Sequence, residues 1–511
     1  MSLPADRAGG TGGHDKLLFW GCFMALIATA FGFVVRSMVL NEWGVEFNLT
    51  QTEQGRILGV GLWPFSISIV IFSLFIDRIG YGRAMGFAFA CHIISAIMTI
   101  SAKSFEMLYF GTFIAALGNG TVEAVINPVV ATMFSRDKVK WLNILHAGWP
   151  GGMLLAGLLA LSLGHADWQW KIGLVFIPVI LYGIMLIGRK FPIHERVTAG
   201  VSDRSMLAEA GILGALIVIG LMTWEVGNFF MLPVIVRIFI IVALTVAYGL
   251  YVRSLGRPLF IFLLLIMMPL ATTELGTDSW ITPIMENSMT GLGLPAVSVL
   301  LYTATIMMLL RFFAGPIIHG LSPLGLLAAC SLIAAVGLVS LSAATSGIAI
   351  LAAATIYGVG KTFFWPTMLG VVAERFPRGG ALTLNAIAGV GMLSVGIVGA
   401  VFLGAIQDRY TSSTLQTQNP DLHAKYTETK EDFFGDYTAV NPATLEAAPA
   451  EDKDVLTTVR AAASKNALKV VAIFPVIMFL CYVVLIIYFR SQGGYRAVHL
   501  DDETPPHVSE A

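Results

Sequence analysis

The stretch SLFIDRIGYGR, residues 73–83, places Asp77, Arg78, Gly80 and Arg83 between two long apolar segments. Gly80 lacks a Cβ atom and therefore permits a tight turn between two helix ends. The carboxylate of Asp77 can face either a helix N-terminus or an arginine from elsewhere in the chain. The stretch predicts a short polar connection between two helices, and apolar segments of similar length recur on both sides of it.

The composition indicates a protein built for lipid. The chain has 511 residues, of which 56% are hydrophobic and 12% are charged, whereas a soluble domain carries about 25% charged residues. The run from Leu17 to Val35 holds no charged residue and is long enough to cross a bilayer as a helix. A net charge of −1 gives no indication of a nucleic-acid partner. The four cysteines are scattered singly, which predicts packing residues and neither a metal site nor a disulfide framework.

Hydropathy predicts an all-α membrane protein with fourteen transmembrane helices. Their approximate ranges are 17–40, 55–76, 84–102, 107–134, 141–163, 168–188, 209–227, 230–252, 258–282, 295–313, 323–343, 347–373, 380–406 and 467–489.

Lysines and arginines set the predicted orientation, because they collect in short cytoplasmic loops. With the N-terminus inside, the inside segments hold most of these residues, including Arg311 at the end of the tenth helix, whereas the short outside loops hold only Lys103 and Lys171. This bias predicts an integral protein of the plasma (inner) membrane with both termini in the cytoplasm. The predicted division is a cytoplasmic tail (1–16), a six-helix bundle (17–190), an inserted transmembrane hairpin (207–252), a second six-helix bundle (258–489) with a long outside loop (407–466), and a second tail (490–511).

The connection at 73–83 resembles the cytoplasmic signature of the major facilitator superfamily, G-x-x-x-D-R-x-G-x-R/K-R/K. Asp77, Arg78, Gly80 and Arg83 match it, while Ser73 stands where the first glycine is usual. The equivalent stretch of the second half, GPIIHGLS at 315–322, has His319 in place of the acid. The resemblance implies the major facilitator fold of two six-helix bundles, here with a two-helix insertion, and a loop that latches the cytoplasmic side. The alternative is an ordinary charged loop.

Ionisable residues inside the predicted spans are few, and each costs about 2.5–3.5 kcal/mol at the centre of a bilayer. Five of them fall on the first, fourth, ninth and twelfth predicted helices, which take the places of the superfamily's cavity-lining helices. The alternative is that they form structural pairs, Arg36 with Glu123 and Lys361 with Glu274. The residues in question are Arg36, Glu123, Glu274, Asp278 and Lys361, with Arg56 and Arg237 elsewhere.

Helical spacing groups these residues with polar and aromatic neighbours. Asn119, Glu123 and Asn127 are four residues apart and share one face of a helix. Tyr357, Lys361 and Trp365 share another, although such aromatic stripes are also typical of lipid-facing or interfacial packing.

Longer motifs resemble the fucose–proton symporter and its glucose/galactose relatives. EAVINP (123–128) and LNILHAGWPGG (142–152) are similar to that family's ETxANP and LNxxQxFxxxG, with His146 in place of the sugar-contacting glutamine. ELGTDSW (274–280) is similar to EVGIGSW, and FFWPT (363–367) with RGGALTLNAIAGVG (378–391) is similar to FPT and RGSGLLVQAIVGG. A departure is that Arg36 stands where the fucose transporter has a carboxylate.

The resemblance implies a secondary active transporter that takes up a sugar or similar polyhydroxylated solute with a proton by alternating access. Glu123 is the first candidate for the coupling proton and Glu274 the second. No metal and no cofactor other than the proton is expected. The candidate substrate-binding residues are Arg36, Asn119, Asn127, Asn143, His146, Asp278, Trp280, Tyr357, Lys361 and Trp365.

Other functions stay open at this point. An organic-anion or peptide–proton symporter would use Arg36 and Lys361 to bind a carboxylate, although the ExxER signature of peptide transporters is absent. An efflux antiporter and a non-transporting sensor, with the 407–466 loop as its binding element, are further alternatives. No spacing supports an enzyme site. The expected partners are a small polar solute and membrane lipid, and we expect a monomer.

Overall fold

The computed structural model describes residues 13–49, 51–278, 281, 293–295, 297–432, 435–441, 444–445 and 448–500. Thirteen helices in this part of the chain are long and apolar enough to cross a membrane, and a helix pair bent by 70° forms a fourteenth span. The prediction of an all-α membrane protein is confirmed, and the fourteen predicted spans are matched when the bent pair is counted as one span. We number the spans 1–14 in chain order.

Spans 1–6 form the first half and spans 7 and 8 the inserted hairpin. Their bounds are Gly13–Glu46 (span 1), Gln51–Gly59 with Trp63–Ile79 (2), Tyr81–Ile100 (3), Phe105–Met133 (4), Lys138–His146 with Gly148–Ser162 (5), Trp168–Gly173 with Phe176–Leu186 (6), Asp203–Phe229 (7) and Val234–Val252 (8). A single-turn helix, Glu195–Thr198, lies between spans 6 and 7.

Spans 9–14 form the second half. Their bounds are Pro258–Ala271 with a π-helical turn at Thr272–Gly276 (9), Ser298–Phe312 with Ala314–Leu321 (10), Pro323–Ala343 (11), Gly347–Lys361 with Phe364–Arg375 (12), Gly380–Ser394 with a π-helical turn at Val395–Ala400 and the helix Val401–Gln418 (13), and Ala450–Val471 with Ile473–Ser491 (14). A 3₁₀ turn, Pro377–Gly379, precedes span 13.

Several spans are broken in their middle, and prolines explain two of these breaks. A proline has no N–H and cannot bond the carbonyl four residues earlier in a helix. Pro150 follows the break of span 5 at Ala147, and Pro366 follows the break of span 12 at Thr362 and Phe363. These breaks turn carbonyl groups toward the interior of the bundle, where they take part in the site described below.

The hairpin is attached at its base to the start of span 9. Gly211 has φ +60°, and a Cβ atom there would lie 2.0 Å from the backbone nitrogen of Gly256, so that only glycine fits this approach. The amide of Ile212 donates to the Ser254 carbonyl at 2.8 Å, and the amide of Arg257 donates to the Glu209 carbonyl at 3.0 Å. Span 8 is buried only at Thr245, Gly249 and Val252, so most of its surface faces outward.

The segment between spans 13 and 14 is folded rather than irregular. A short helix, Pro420–Tyr426, leads into a two-stranded antiparallel sheet of β1 (Thr427–Asp432) and β2 (Gly435–Val440). Together with the adjoining ends of the helices Val401–Gln418 and Ala450–Val471, the segment has a hydrophobic core of its own, distinct from the main core of the bundle. Its buried members are Leu415, Tyr426, Val440, Ala448, Leu456 and Val459. The described residues of the 407–466 loop therefore form a small ordered cap.

Removing this cap tests whether it is needed. We expect that replacing residues 412–462 by a short Gly/Ser linker leaves solute uptake by reconstituted protein within about twofold of the wild type, because surface segments with their own core carry little of the scaffold's stability. The side chains of Gln407 and Ser464, which are hydrogen-bonded at 2.7 Å, would remain to hold the two ends together. Loss of solute binding with an intact bundle would instead favour the sensor.

Candidate functional site

Charged residues of the second half meet in the middle of the bundle. Lys361 of span 12 forms an ion pair with Asp278, which follows the π-helical turn of span 9. The Lys361 ammonium also lies 5.0 Å from the centre of the Tyr357 ring, and Tyr357 donates its hydroxyl to the Thr273 carbonyl at 2.6 Å. Lys361 is fully buried. A buried ammonium with both a carboxylate and an aromatic face is compensated for its loss of water.

Glu274 binds Arg311, a residue that the sequence analysis assigned to a cytoplasmic segment. Arg311 is 1% exposed, and its Nη2 lies 2.9 Å from Oε1 of Glu274. Oε2 of Glu274 accepts the backbone N–H of Trp365 at 3.1 Å. The alternative pairing of Lys361 with Glu274 is therefore wrong: Arg311 occupies Glu274, and Lys361 binds Asp278, one turn further along.

Glu123 of span 4 has an amide rather than a cation as its partner. Its Oε2 accepts Nδ2–H of Asn127 at 2.6 Å, and Oδ1 of Asn127 lies 2.9 Å from Nε2 of His146 in span 5. Because the amide nitrogen donates to Glu123, the amide oxygen accepts, and Nε2 of His146 carries the hydrogen. No ion pair of Glu123 occurs among the residues that the structure describes. Glu123 is 5% exposed.

Polar side chains join the two halves beside these groups. Nδ2 of Asn143 in span 5 donates to Oγ1 of Thr367 in span 12 at 3.1 Å. Nδ2 of Asn385 in span 13 donates to the Ala124 carbonyl in span 4 at 3.1 Å. Thr367 and Asn385, like Arg311, were not among the predicted site residues. Asn143 and Asn385 are fully buried, so these bonds form part of the closed interface between the halves.

Arg36 and Asn119 lie within the first half, apart from the ion pairs. Arg36 donates to Oγ of Ser95 in span 3 at 2.7 Å and to the Gly32 carbonyl at 3.0 Å. Asn119 lies 2.9 Å from Nε2 of His92, whose other ring nitrogen lies 3.0 Å from the Tyr182 hydroxyl. The alternative pairing of Arg36 with Glu123 is not formed in the described chain, because the guanidinium turns toward span 3.

Two tryptophans, Trp365 and Trp280, complete the set of predicted binding residues. Trp365 is buried at the start of the helix Phe364–Arg375, next to the bond from its own amide to Glu274. Trp280 lies outside the described residues.

The connection at 73–83 forms a charged cluster with the segment after span 6. Asp77 binds Arg196 at 2.5 Å, Arg196 also reaches Asp203 at 3.3 Å, and Arg78 binds Asp203 as well. Gly80 has φ +89° in the turn between spans 2 and 3, a conformation that glycine adopts without strain. Arg83 is exposed.

A second link at this end crosses between the halves. Lys138 at the start of span 5 forms an ion pair with Glu195 and donates to the Ala373 carbonyl at the end of span 12 at 3.1 Å. Burial lowers the pKa of His194 to about 4, so its neutral ring accepts the amide N–H of Arg196 through Nδ1 at 3.1 Å and begins the helix Glu195–Thr198. The bundle is therefore tied shut at the end that we predict to be cytoplasmic.

Comparison with known proteins agrees with this arrangement. A family model described as the Major Facilitator Superfamily matches residues 21–401. The chain belongs to the Major Facilitator Superfamily. This is a family of transporters rather than enzymes, and the resemblance inferred from the 73–83 connection is confirmed.

Two solved transporters of the Major Facilitator Superfamily share the fold. The proton:xylose symporter XylE, bound to 6-bromo-6-deoxy-D-glucose, is 12% identical with a TM-score of 0.59, over 91% of this chain and 94% of that one. The transporter FucP in the outward conformation is 14% identical with a TM-score of 0.55, over 90% of this chain and 98% of that one. At these identities the likeness is one of fold.

One curated relative matches part of the sequence. The cis,cis-muconate transport protein of Acinetobacter baylyi is 28% identical over 178 residues, which is 34% of this chain. The chain spans 43% of the length of that relative.

The charged cluster at the closed end makes a prediction about stability. Replacing Arg196 by Ala leaves Asp77 without its buried partner, and removing one member of such a pair costs on the order of 3 kcal/mol. We therefore expect Arg196→Ala to lower the midpoint of thermal unfolding of the purified protein. Arg204→Ala, which removes an exposed arginine one residue after Asp203, is the matched control and should leave the midpoint unchanged. Equal midpoints for both variants would contradict the role of Arg196.

Proposed function

We propose that this transporter takes up a neutral polyhydroxylated solute, such as a sugar, together with a proton. The observation that carries the proposal is the pairing of the central cations. Arg311 is bound by Glu274 and Lys361 by Asp278, so neither cation is left over to neutralise an anionic solute. A neutral solute needs no counter-charge from the site.

The polar groups around these pairs suit hydroxyl groups. Sugar hydroxyls need both donors and acceptors, and Asn127, Asn143 and His146 supply both from spans 4 and 5. Trp365 lies on the helix that also carries Thr367, the hydrogen-bond partner of Asn143, and aromatic rings pack well against the apolar face of a sugar. The sugar–proton symporters named above share the fold, which is compatible with this substrate class.

Glu123 is the residue that we propose carries the proton. Burial in a medium of low dielectric disfavours the charged form of a carboxyl group, and the ionised form of Glu123 has only the Asn127 amide to stabilise it. Glu274, by contrast, is held by a guanidinium and a backbone N–H. Binding a proton removes the cost of a buried charge at Glu123, and exposure to water on the other side favours its release.

An organic anion is the second candidate substrate, and two observations favour it. The chain is locally similar to a transport protein for cis,cis-muconate, and Arg36 is buried with hydroxyl and carbonyl partners rather than a carboxylate. In this case Arg36 would have to turn from Ser95 toward the solute.

We further propose that the protein acts as a monomer in the plasma membrane with both termini in the cytoplasm. The distribution of lysine and arginine supports this orientation.

A solute panel separates the two substrate classes. We expect neutral sugars or polyols to raise the midpoint of thermal unfolding of the purified protein and to be accumulated by proteoliposomes with an inward proton gradient. Muconate and other dicarboxylates should do neither, because both central cations are already paired. Accumulation of a dicarboxylate, abolished by Arg36→Gln, would establish the anion alternative in place of the sugar.

Replacing Glu123 tests the coupling proton. Glu123→Gln keeps the size of the side chain and its ability to form hydrogen bonds, but glutamine cannot ionise. We therefore expect proton-driven accumulation to be lost while exchange of labelled for unlabelled solute continues. Glu225→Gln is the matched control, because Glu225 is an intramembrane carboxyl group of span 7, and it should transport like the wild type. Loss of both accumulation and exchange in Glu123→Gln would make Glu123 a solute ligand instead.

A further inference from the structure

Three prolines near the site release backbone carbonyl groups from their helices. Because proline has no N–H, Pro128, Pro150 and Pro366 leave the carbonyls of Ala124, His146 and Thr362 without the usual helical donor. Water supplies such a donor at a protein surface, but within a bilayer each unsatisfied carbonyl costs free energy and needs a partner from the protein.

Each of the three oxygen atoms receives a side-chain donor from another span. Asn385 donates to the Ala124 carbonyl at 3.1 Å. Arg311 donates through Nη1 to the His146 carbonyl at 2.8 Å and through Nε to the Thr362 carbonyl at 2.6 Å. The bonds to Ala124 and His146 cross from the second half to the first. Two of the released carbonyls are thus points at which the halves are joined, in addition to the bonds of Asn143 and Lys138 described above.

Arg311 and Glu274 also bind backbone groups on the two sides of the break in span 12. The guanidinium bonds the carbonyl that follows the helix Gly347–Lys361, where the helix dipole favours a cation. The carboxylate accepts the Trp365 amide in the first turn of Phe364–Arg375, where the dipole favours an anion. The ion pair therefore bridges the break, and its third contact reaches across to span 5.

We propose that Arg311 is a positioning residue that holds the two halves together in the middle of the bundle and so keeps the predicted cytoplasmic end closed, by binding the carbonyls that Pro150 and Pro366 release while Glu274 orients its guanidinium. Opening at this end breaks the bond between Arg311 and the His146 carbonyl. Loss of the charge on Glu274 weakens the tie, because the guanidinium then keeps only its two carbonyl acceptors. The inference requires only that the protein is a transporter with two moving halves, and it holds for a sugar or an anion alike.

Distances between the halves test this proposal without any solute. Nitroxide labels replace Arg136, in the turn between spans 4 and 5, and Leu321, at the end of span 10, both of which are exposed. Pulsed electron resonance then gives the distribution of distances at this end. We expect Arg311→Gln to raise the ratio of open to closed populations roughly tenfold, the equilibrium factor of a lost hydrogen bond to a charged group. Glu274→Gln should shift the distribution in the same direction.

The prolines supply a second test, because its expected result does not follow if Arg311 only stabilises the fold. Pro150→Ala provides an N–H that can bond the His146 carbonyl within the helix, so it competes with Arg311 and should also raise the open population. Pro178→Ala, in span 6 of the first half, is the control and should match the wild type.

The double variant separates stability from closure. Combined with Arg311→Gln, Pro150→Ala should restore part of the thermal stability, because the orphaned carbonyl regains a donor, yet the halves should stay open. The proposal is overturned if Arg311→Gln and Pro150→Ala both keep the wild-type distances, or if the double variant closes again. Failure of sugar uptake would leave these distances unaffected, so the two proposals fail separately.

Discussion

A backbone carbonyl inside a membrane must have a hydrogen-bond donor, and proline takes that donor away. Much of the interior of this protein follows from that constraint. The oxygen atoms freed by Pro150 and Pro366 account for why an arginine is buried at span 10, where it binds both. The arginine in turn needs a carboxylate, which Glu274 provides. Helix breaks, buried charge and contact between the halves are thus parts of one arrangement.

The two ion pairs at the centre of the bundle bear on which solutes the site would accept. Arg311 is paired with Glu274 and Lys361 with Asp278, so the neutral solute that we propose would meet hydrogen-bonding groups there rather than an unpaired cation. Removing two charges from water is costly, and their mutual attraction offsets that cost only with good geometry and further hydrogen bonds. Tyr357 and the backbone groups around Arg311 supply these additional contacts.

The sequence was sufficient for the spans and for the family, because both depend on long-range patterns of hydropathy and on the 73–83 connection. It also put Glu123 and Asn127 on one face of span 4, where the structure shows them bonded. It did not reveal Arg311, because hydropathy places this residue at the end of a span, whereas in the structure it is buried just before a 70° bend that follows Phe312. The prolines four residues after His146 and Thr362 are a signal that could have found it. The exact partners of Lys361 and Glu274 could not be read from spacing, since Asp278 and Glu274 are one turn apart.

The inserted hairpin is fastened to the second half where Gly211 meets Gly256, while most of span 8 faces outward. Span 7 also contacts the first half at both of its ends, through the ion pair of Asp203 with Arg78 and the ring contacts of Phe229 with Trp63 and Tyr109. The hairpin thus lies against both halves, and any movement of one half relative to the other would have to change its contacts with at least one of them. Since most of span 8 faces outward, such a movement would also be felt by the lipid that surrounds this pair of helices.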